Sequence, residues 1–329
     1  MLPRANHGTD KDNSPRLIEP LSNIPSRLFL CRYTEDTVMA SSNELPRIRA
    51  CLFDMDGLLI DSEDLYTVIT NEILQKYDRP LLPWSIKAQM QGRPQPEAGK
   101  IFHDFAQLPI SDEELNQQRF ALQQKYFPRS QPLPGVRTLL SNLKSTASTN
   151  DPVYIALATS SHHTNYKLKT DHLTELMSVF PEVNKVLGDD PRIGKGRGKP
   201  LPDIYLLALE TINVELRLQG KTEIKPEECL VFEDAVPGVE AGRRAGMQVA
   251  WVPQDGLLDA FKGREGEVLA GATGSHKEDE KTDAEKEAEE LQAWRVKGAG
   301  QPGKIGDGFG QLYSSLENFP YEKYGIRIP

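Results

Sequence analysis

Two aspartates, Asp54 and Asp56, stand one residue apart directly after an apolar stretch in RACLFDMDGLLIDSEDLY, which spans residues 49–66. In an extended chain, residues i and i+2 point the same way, so both carboxylates can face one cleft. Like charges this close raise each other's pKa and are costly unless a positive group lies between them. The spacing therefore indicates a divalent cation. Mg²⁺ prefers oxygen ligands, keeps several waters and needs only a few such carboxylates.

Paired carboxylates at such a site can carry out phosphoryl transfer. Asp54 could attack phosphorus and form an aspartyl-phosphate. Asp56 could protonate the leaving alcohol and then take a proton from the water that hydrolyses the intermediate. Glu233 and Asp234, at the end of CLVFED, close a second predicted strand and could complete the cation site.

A phosphoryl group also needs positive or hydrogen-bonding partners. Lys199, in GRGKPLPD, can supply a point charge. Thr159 and the backbone N–H groups of Ser160 and Ser161 end the run PVYIALATSS, at a predicted strand-to-helix junction that is a natural anion site. The stretch GKGRGK is not a nucleotide-binding P-loop, because the required spacing of glycine and lysine is missing.

Each of these features alone has an ordinary structural explanation. The DxDG segment could be a turn before a helix, Thr159 a helix N-cap, and Lys199 a surface lysine in a glycine-rich loop. The adjacent His162 and His163 suggest zinc, but neighbouring histidines on a helix face different directions, so we interpret them as helix-start residues. The repetition of polar residues after separate strands is what favours a catalytic site.

These residues need a parallel sheet to bring them together. Apolar strands separated by helical segments predict an α/β fold, with a doubly wound parallel sheet and helices on both faces. Ligands in such folds bind beyond the carboxyl ends of the strands. One of the predicted strands lies at residues 184–190. Four predicted strand ends carry polar residues, namely Asp54, Thr159, Asp189 and Glu233.

The chain divides into regions of different composition. Residues 1–48 are polar, contain prolines and serines, and are predicted to be a disordered N-terminal extension. Residues 49–65 and 132–329 form the predicted α/β core. Residues 66–131 contain only helical patterns and predict a small all-helical cap inserted after the first strand. Within the core, the charge-dense residues 262–310 predict a solvated, disordered insertion.

Composition limits the classes of function. The net charge of −9 argues against a nucleic-acid-binding protein. No apolar stretch approaches the length of a transmembrane helix, and the three cysteines show no disulfide pattern, which fits a reducing compartment. We expect a cytoplasmic monomer without nucleic-acid or membrane partners, in which Cys51 and Cys229 pack as buried thiols.

Four segments resemble the four motifs of the haloacid dehalogenase-like hydrolase superfamily, namely FDMDGLLIDSE, ALATSS, GKPLPD and LVFEDAVPGVEAGRRAGM. The helical block at about residues 66–131 is similar to the small helical cap of the phosphoglucomutase-like branch, and the match covers about residues 49–261. Within the branch, GDDPRIGKGRGKPLPDIY and CLVFEDAVPGVEAGRRAGMQV most resemble phosphatases of pseudouridine 5′-phosphate and related sugar phosphates. The resemblance implies a Rossmann-like core and a Mg²⁺-dependent phosphatase acting on a small phosphorylated metabolite.

The resemblance also implies roles for the acidic residues. Asp54 is expected to be the nucleophile and Asp56 the general acid and base. Mg²⁺ is expected to bind the Asp54 carboxylate, the Asp56 backbone carbonyl and Asp234, with Glu233 close by or bridged through water.

Further residues match positions that bind phosphate or substrate in the family. Thr159 and Lys199 match the phosphate-binding positions, and Ser160 adjoins them. Gly92 and Arg93, in MQGRPQ, lie where caps of this branch often contact the substrate. Specificity in this design comes from cap side chains, so the resemblance implies a phosphomonoester without identifying which one.

Three other functions compete with a phosphatase. A sugar-phosphate mutase of the β-phosphoglucomutase type would share all four motifs, but it needs a bisphosphate primer and returns an isomer. A haloacid dehalogenase is disfavoured by Asp56, because carbon–halogen displacement needs no acid for the leaving group. A non-catalytic binding protein that uses the acidic insertion would be expected to have lost a motif residue, and none is lost.

Overall fold

The computed structural model of the chain describes residues 45–93, 95–274 and 300–329. Most of the predicted N-terminal extension therefore lies outside the described residues. Its last residues correct the prediction of disorder, because Ile48 is fully buried and its N–H donates to the Tyr324 carbonyl at 3.0 Å. Ile48 is ordered with the core because it leads directly into the first strand.

Six strands of the described residues form one parallel sheet. They are β1 (Ala50–Phe53), β2 (Tyr154–Ala158), β3 (Lys185–Val186), β4 (Cys229–Glu233), β5 (Gln248–Trp251) and β6 (Gly310–Leu312). Their order in the sheet is β3-β2-β1-β4-β5-β6. The predicted doubly wound parallel sheet is confirmed, although β3 is shorter than the predicted strand at residues 184–190.

Helices separate these strands along the chain. Those of the described residues are α1 (Ser62–Lys76), α2 (Trp84–Met90), α3 (Gln95–Ala106), α4 (Asp112–Tyr126), α5 (Val136–Ser145), α6 (His163–Thr170), α7 (Thr174–Met177), α8 (Asp203–Leu218), α9 (Val236–Arg244), α10 (Asp255–Ala260) and α11 (Glu265–Ala270). Within the described ranges, none of them has the length and apolar character that crossing a bilayer would require.

The two faces of β1 enter different parts of the core. Cys51 and Phe53 pack in one apolar cluster with residues of α5. Ala50 and Leu52 pack in another with residues of α8. Because successive side chains of a strand point to opposite faces, this alternation shows that helices cover both sides of the sheet. Cys51 and Cys229 are both free and buried, as the sequence predicted.

Helices α1 to α4 lie between β1 and β2 and have an apolar core of their own. Ile69 of α1 packs there with Phe102 of α3 and Leu115 of α4. The described residues between β1 and β2 contain no strand. Helix α1 begins at Ser62, so one continuous helix crosses the predicted domain boundary at residue 66. The limits of the cap as a domain stay a prediction.

The predicted insertion at residues 262–310 has ordered flanks. Val268 of α11 is fully buried against the core, and the buried Arg243 forms an ion pair with Asp307. The prediction of disorder is therefore wrong for these flanks. Val268 buries apolar surface there, and Asp307 neutralises a guanidinium that would otherwise be buried and unpaired. Residues 275–299 of the predicted insertion lie outside the described residues.

Candidate active site

The predicted strand-end residues meet at one edge of the sheet. Asp54 follows β1, Thr159 follows β2, and Glu233 is the last residue of β4. The Asp54 N–H donates to the Phe232 carbonyl at 3.1 Å, which continues the ladder between β1 and β4. The Thr159 N–H donates in the same way to the Val186 carbonyl at 3.1 Å. Because β2, β1 and β4 are neighbours, their carboxyl ends bring these side chains together.

Lys199 reaches this edge from the loop before α8 and joins two carboxylates. Its Nζ lies 2.5 Å from Asp54 Oδ1 and 2.7 Å from Glu233 Oε1. Tyr205 of α8 donates to the same Glu233 oxygen at 2.6 Å, and its ring centroid lies 5.0 Å from the ammonium. Lys199 is 3 % exposed, so it is not the surface lysine that a glycine-rich loop alone would suggest. Its charge acts where the dielectric constant is low and ion pairs are strong.

Asp234 lies close to the two carboxylates that Lys199 contacts. Oxygens of Asp54, Glu233 and Asp234 lie within 4.8 Å of one another. Burial and the Glu233 charge, opposed by Lys199, raise the pKa of Asp54 to about 7. Burial and the charges of Glu233 and Asp54 raise the pKa of Asp234 well above its usual value. One ammonium does not balance three acidic groups, and this set of oxygen donors fits a divalent cation such as Mg²⁺.

Two glycines make room for the carboxylate cluster. Gly57 has a φ of 79°, and a Cβ at this position would lie 2.2 Å from Asp234 Oδ2. A Cβ at Gly238 would lie 1.7 Å from Glu233 Oε1. The other Glu233 oxygen accepts from the backbone N–H groups of Asp234 and Ala235 at 3.1 and 3.2 Å. The glycines of FDMDG and AVPGV therefore allow backbone to pack directly against the acidic side chains.

Asp56 has a different set of partners. Its Oδ1 accepts from Ser62 Oγ at 2.6 Å and from Lys169 Nζ, and its Oδ2 accepts from Ser161 Oγ at 2.6 Å. Thr159 Oγ1 lies 3.4 Å from the same Oδ2 and accepts the Ser161 N–H at 3.1 Å. Burial alone would raise the pKa of Asp56, but Lys169 and the hydroxyl donors outweigh burial and lower it.

The sequence placed Asp54 and Asp56 in one cleft, but the structure gives their side chains different hydrogen-bond and ion-pair partners. The group of carboxylates in the described residues that could hold a metal ion does not include the Asp56 side chain. A role for Asp56 in metal binding therefore depends on its backbone carbonyl, as the family resemblance implies. Its side chain is free of the carboxylate cluster and is available for proton transfer.

The remaining polar residues after β2 and β3 surround the start of α6. Ser160 is exposed, next to the buried Thr159. His162 precedes the helix and His163 begins it, in agreement with their interpretation as helix-start residues. The His163 N–H donates to the two oxygens of Asp189 at 3.0 and 3.1 Å. Asp189 thus satisfies a backbone donor of the first turn, which explains a polar residue after β3 without assigning it to catalysis.

The two predicted cap residues differ in their contacts. Gly92 has a φ of 74°, and a Cβ there would lie 2.7 Å from Ala235 Cβ, so this glycine lies at the seam between the cap helices and the sheet. The Arg93 guanidinium donates to the Gln89 carbonyl at 2.6 Å and to Glu97 at 3.1 Å. These contacts of Arg93 are all within the cap. Substrate contact by either residue stays a prediction.

Several residues of the site were not predicted from the sequence, among them Ser62, Tyr205, Gln91 and Lys169. Gln91, between α2 and α3, is 6 % exposed, and its Nε2 donates to Asp234 Oδ2 at 2.7 Å. Lys169 is fully buried beside Asp56. Gln91 adjoins the predicted cap residues, so its position was a usable sign. Lys169 gave no such sign, because in sequence it looks like Lys167 of the same helix, whose side chain is 54 % exposed.

A sequence profile of the haloacid dehalogenase-like hydrolase family matches residues 48–246. This range contains the first three motif segments, the fourth as far as Gly246, the helical block between β1 and β2, and the residues around Lys199 and the carboxylate cluster. The chain therefore belongs to the haloacid dehalogenase-like hydrolase family. The motifs predicted this family and predicted an enzyme. Both predictions are confirmed.

Three relatives of the chain are named as phosphatases. A probable pseudouridine-5′-phosphatase of Saccharomyces cerevisiae is 44% identical over 229 residues, which are 68% of this chain and 92% of the relative. A probable pseudouridine-5′-phosphatase of Drosophila melanogaster is 37% identical over 226 residues, covering 69% and 90%. The mitochondrial (DL)-glycerol-3-phosphatase 1 of Arabidopsis thaliana is 36% identical over 221 residues, covering 67% and 68%.

Proposed function

We propose that the chain is a Mg²⁺-dependent phosphatase that hydrolyses a small phosphomonoester through an aspartyl-phosphate on Asp54. The observation that carries the proposal is the buried contact of Lys199 with both Asp54 and Glu233, next to Asp234. Buried ion pairs stabilise a fold no better than apolar side chains of the same volume. A buried cluster of this kind with a raised pKa is therefore better explained by chemistry than by packing.

In the first step, an Asp54 oxygen attacks phosphorus while the bond from phosphorus to the ester oxygen breaks. Lys199 holds the other end of the reacting carboxylate at Oδ1 and places a positive charge beside the phosphoryl oxygens. Asp56 enters this step in its protonated form, which its lowered pKa makes the minor form at neutral pH, and donates that proton to the departing ester oxygen, which leaves as an alcohol. Thr159 and Ser160 are the candidates for further contacts with the phosphoryl group.

Asp54, Asp234 and the Asp56 backbone carbonyl are the groups that would hold Mg²⁺, with Glu233 close by. When bound, the ion offsets the negative charge of the carboxylates and of the phosphoryl oxygens. The raised pKa values of Asp54 and Asp234 support this assignment, because both carboxyl groups lack enough positive charge around them.

In the second step, water attacks phosphorus and the bond between phosphorus and Asp54 breaks. Asp56, now deprotonated, accepts the proton of that water. Inorganic phosphate leaves, and Asp54 returns to its carboxylate form. The hydroxyl donors of Ser62 and Ser161 favour the deprotonated form of Asp56 that this step needs.

The relatives suggest the substrate class. Two of them are named as probable pseudouridine-5′-phosphatases and one as a glycerol-3-phosphatase. All three names point to small phosphate esters of an alcohol, so pseudouridine 5′-phosphate and small sugar or polyol phosphates are the first candidates for this chain.

The test is a phosphate-release assay with pseudouridine 5′-phosphate, glycerol 3-phosphate and glucose 1-phosphate, in Mg²⁺ and in excess chelator. We expect release of inorganic phosphate from at least one ester in Mg²⁺ only, and none from the Asp54→Asn variant. The product is analysed as well as the phosphate. Formation of an isomeric phosphate ester with a bisphosphate primer would identify a mutase instead. Absence of both products across the panel would overturn the proposal.

A further inference from the structure

Lys169, near the end of α6, has no role in the mechanism proposed above. It is nevertheless fully buried at the edge of the active site. Its Nζ donates to Asp56 Oδ1, to Ser161 Oγ at 2.6 Å and to Tyr66 Oη at 3.3 Å. An ammonium in such a place is strongly disfavoured unless it is paired and its donors are satisfied. Asp56 provides the opposite charge, and the two hydroxyls satisfy the remaining donors.

The surroundings of Lys169 come from both chain segments that connect the cap helices to the sheet. Tyr66 lies on α1, the outgoing connection, and Phe127 lies just after α4, on the returning one. The centroid of each ring is 5.0 Å from the Lys169 ammonium, and the two rings pack edge to face. Ser130 Oγ, further along the returning connection, donates to the Lys169 carbonyl at 2.6 Å. Lys169 is therefore fixed from several sides at once.

Lys169 in turn fixes Asp56. Its Nζ contacts Oδ1 directly. It also donates to Ser161 Oγ, the hydroxyl that in turn donates to Oδ2. The carboxylate cannot rotate without breaking contacts to a buried ammonium, and this holds it more firmly than an exposed ion pair would. Asp54 has a separate lysine, Lys199, so each aspartate has its own buried cation.

We propose that Lys169 is a positioning residue that sets the orientation of the Asp56 carboxylate for proton transfer to the leaving ester oxygen and from the attacking water. The role in proton transfer rests on the proposed function, whereas the orientation of the Asp56 carboxylate by Lys169 does not depend on it. Loss of this orientation should therefore slow the reaction of some leaving groups more than that of others. An acid that is out of place slows the loss of an alkoxide, which needs a proton, far more than the loss of a nitrophenolate, which does not. A side chain that merely stabilised the fold would not discriminate between the two leaving groups.

The experiment compares Lys169→Met with the wild-type full chain in Mg²⁺ on pseudouridine 5′-phosphate and on p-nitrophenyl phosphate. The ratio kcat/KM is used because it reports on the steps up to the first bond cleavage. We expect kcat/KM to fall about 100-fold for the alkyl ester and to stay within about threefold for the aryl ester. Lys167→Met, on the exposed side of the same helix, is the matched control and should match the wild type on both esters.

Ser161→Ala provides a second, milder variant in case Lys169→Met fails to fold, since it removes only the hydroxyl that links Lys169 to Asp56 Oδ2. It should show the same preference for the aryl ester to a smaller degree. An equal loss on both esters, or no loss on either, overturns the proposal.

Crystal structures of the wild type and of the folded variant supply a readout that needs no substrate. We expect the Asp56 carboxylate to move by about 1 Å or more, a displacement large enough to impair catalysis. An Asp56 side chain in its original position would refute the positioning role. If the wild type released no phosphate from these two esters or from the other esters of the panel above, the proposed function would fail, and the two structures would still decide whether Lys169 orients Asp56.

Discussion

Gln91 of the cap donates a hydrogen bond from Nε2 to Oδ2 of Asp234, a candidate metal ligand at the end of β4, over 2.7 Å. The other polar atom of this side chain, Oε1, is buried and has no hydrogen-bond partner among the described residues. A buried polar atom without a protein partner is costly. Gln91 therefore joins the cap to the carboxylate cluster directly.

The first prediction concerns this contact. We expect Gln91→Leu to lower kcat/KM for phosphate release about tenfold, because a hydrogen bond to a charged group contributes about 1.5–3 kcal/mol. The assay is phosphate release under the conditions that give the wild type its highest rate. The matched control is Gln89→Leu, because Gln89 is exposed and its Nε2 donates within α2 to the Ser85 carbonyl at 2.7 Å. Equal rates for the two variants would show that the contact has no part in turnover.

The second prediction concerns the nucleophile. We expect Asp54→Asn to reduce phosphate release by at least about a thousandfold, as loss of a catalytic nucleophile does. The same change should leave the melting temperature of the metal-free protein at pH 8 equal or higher, because it removes one charge from a crowded acidic cluster. Both quantities are measured on the same preparation, by phosphate assay and by calorimetry.

The control for that prediction is Asp259→Asn, on the exposed side of α10, which should change neither quantity. If Asp54→Asn kept activity near the wild-type level, an aspartyl-phosphate at this position would be ruled out. If it unfolded the protein instead, Asp54 would be primarily a structural residue.

The sequence contained enough to predict the sheet and its acidic edge. The stretch before Glu233 is apolar at every position, as strands buried on both faces are, and the polar residues come only where each strand ends. Because parallel strands align their carboxyl ends, Asp54 and Glu233 could be placed together without coordinates. The number of charges at that edge also predicted the need for a cation.

The environment of Lys169 could not be predicted in this way. Local sequence does not reveal that Tyr66 and Phe127, far apart along the chain, cover this lysine. The same limit explains the error at the predicted insertion. A charge-rich segment can still contribute one buried apolar side chain, as Val268 does, and composition averages over such a residue. Both cases depend on contacts between distant segments.

The third prediction concerns pH. The pKa of Asp54 is raised from 3.8 to about 7, so the folded metal-free protein binds more protons than the unfolded chain between these values. Its stability must therefore fall as pH rises through this range. Mg²⁺ competes with those protons, so we expect it to raise the melting temperature more at pH 8 than at pH 5.5.

Calorimetric scans of the metal-free and Mg²⁺-loaded protein across this pH range test the third prediction. Asp54→Asn should weaken the pH dependence, because it removes one of the titrating groups. The pKa of Asp56 is lowered, so the stability that this residue adds is lost only at acidic pH, below the usual pKa of an aspartate. Asp56 therefore does not contribute to the change of stability between pH 5.5 and 8. A Mg²⁺ effect that was the same at both pH values would contradict the assignment of the cation to this cluster.

The last prediction concerns Val268 of α11, which lies inside the segment that the sequence assigned to a disordered insertion. Because this side chain is fully buried against the core, Val268→Ala should lower the free energy of unfolding by about 2 kcal/mol. The measurement is urea unfolding followed by circular dichroism. Val183→Ala is the matched control, since Val183 is 59 % exposed and its truncation should change the free energy by less than about 0.5 kcal/mol. Equal midpoints for the two variants would mean that α11 is not part of the cooperative core and would restore residue 262 as the start of the insertion.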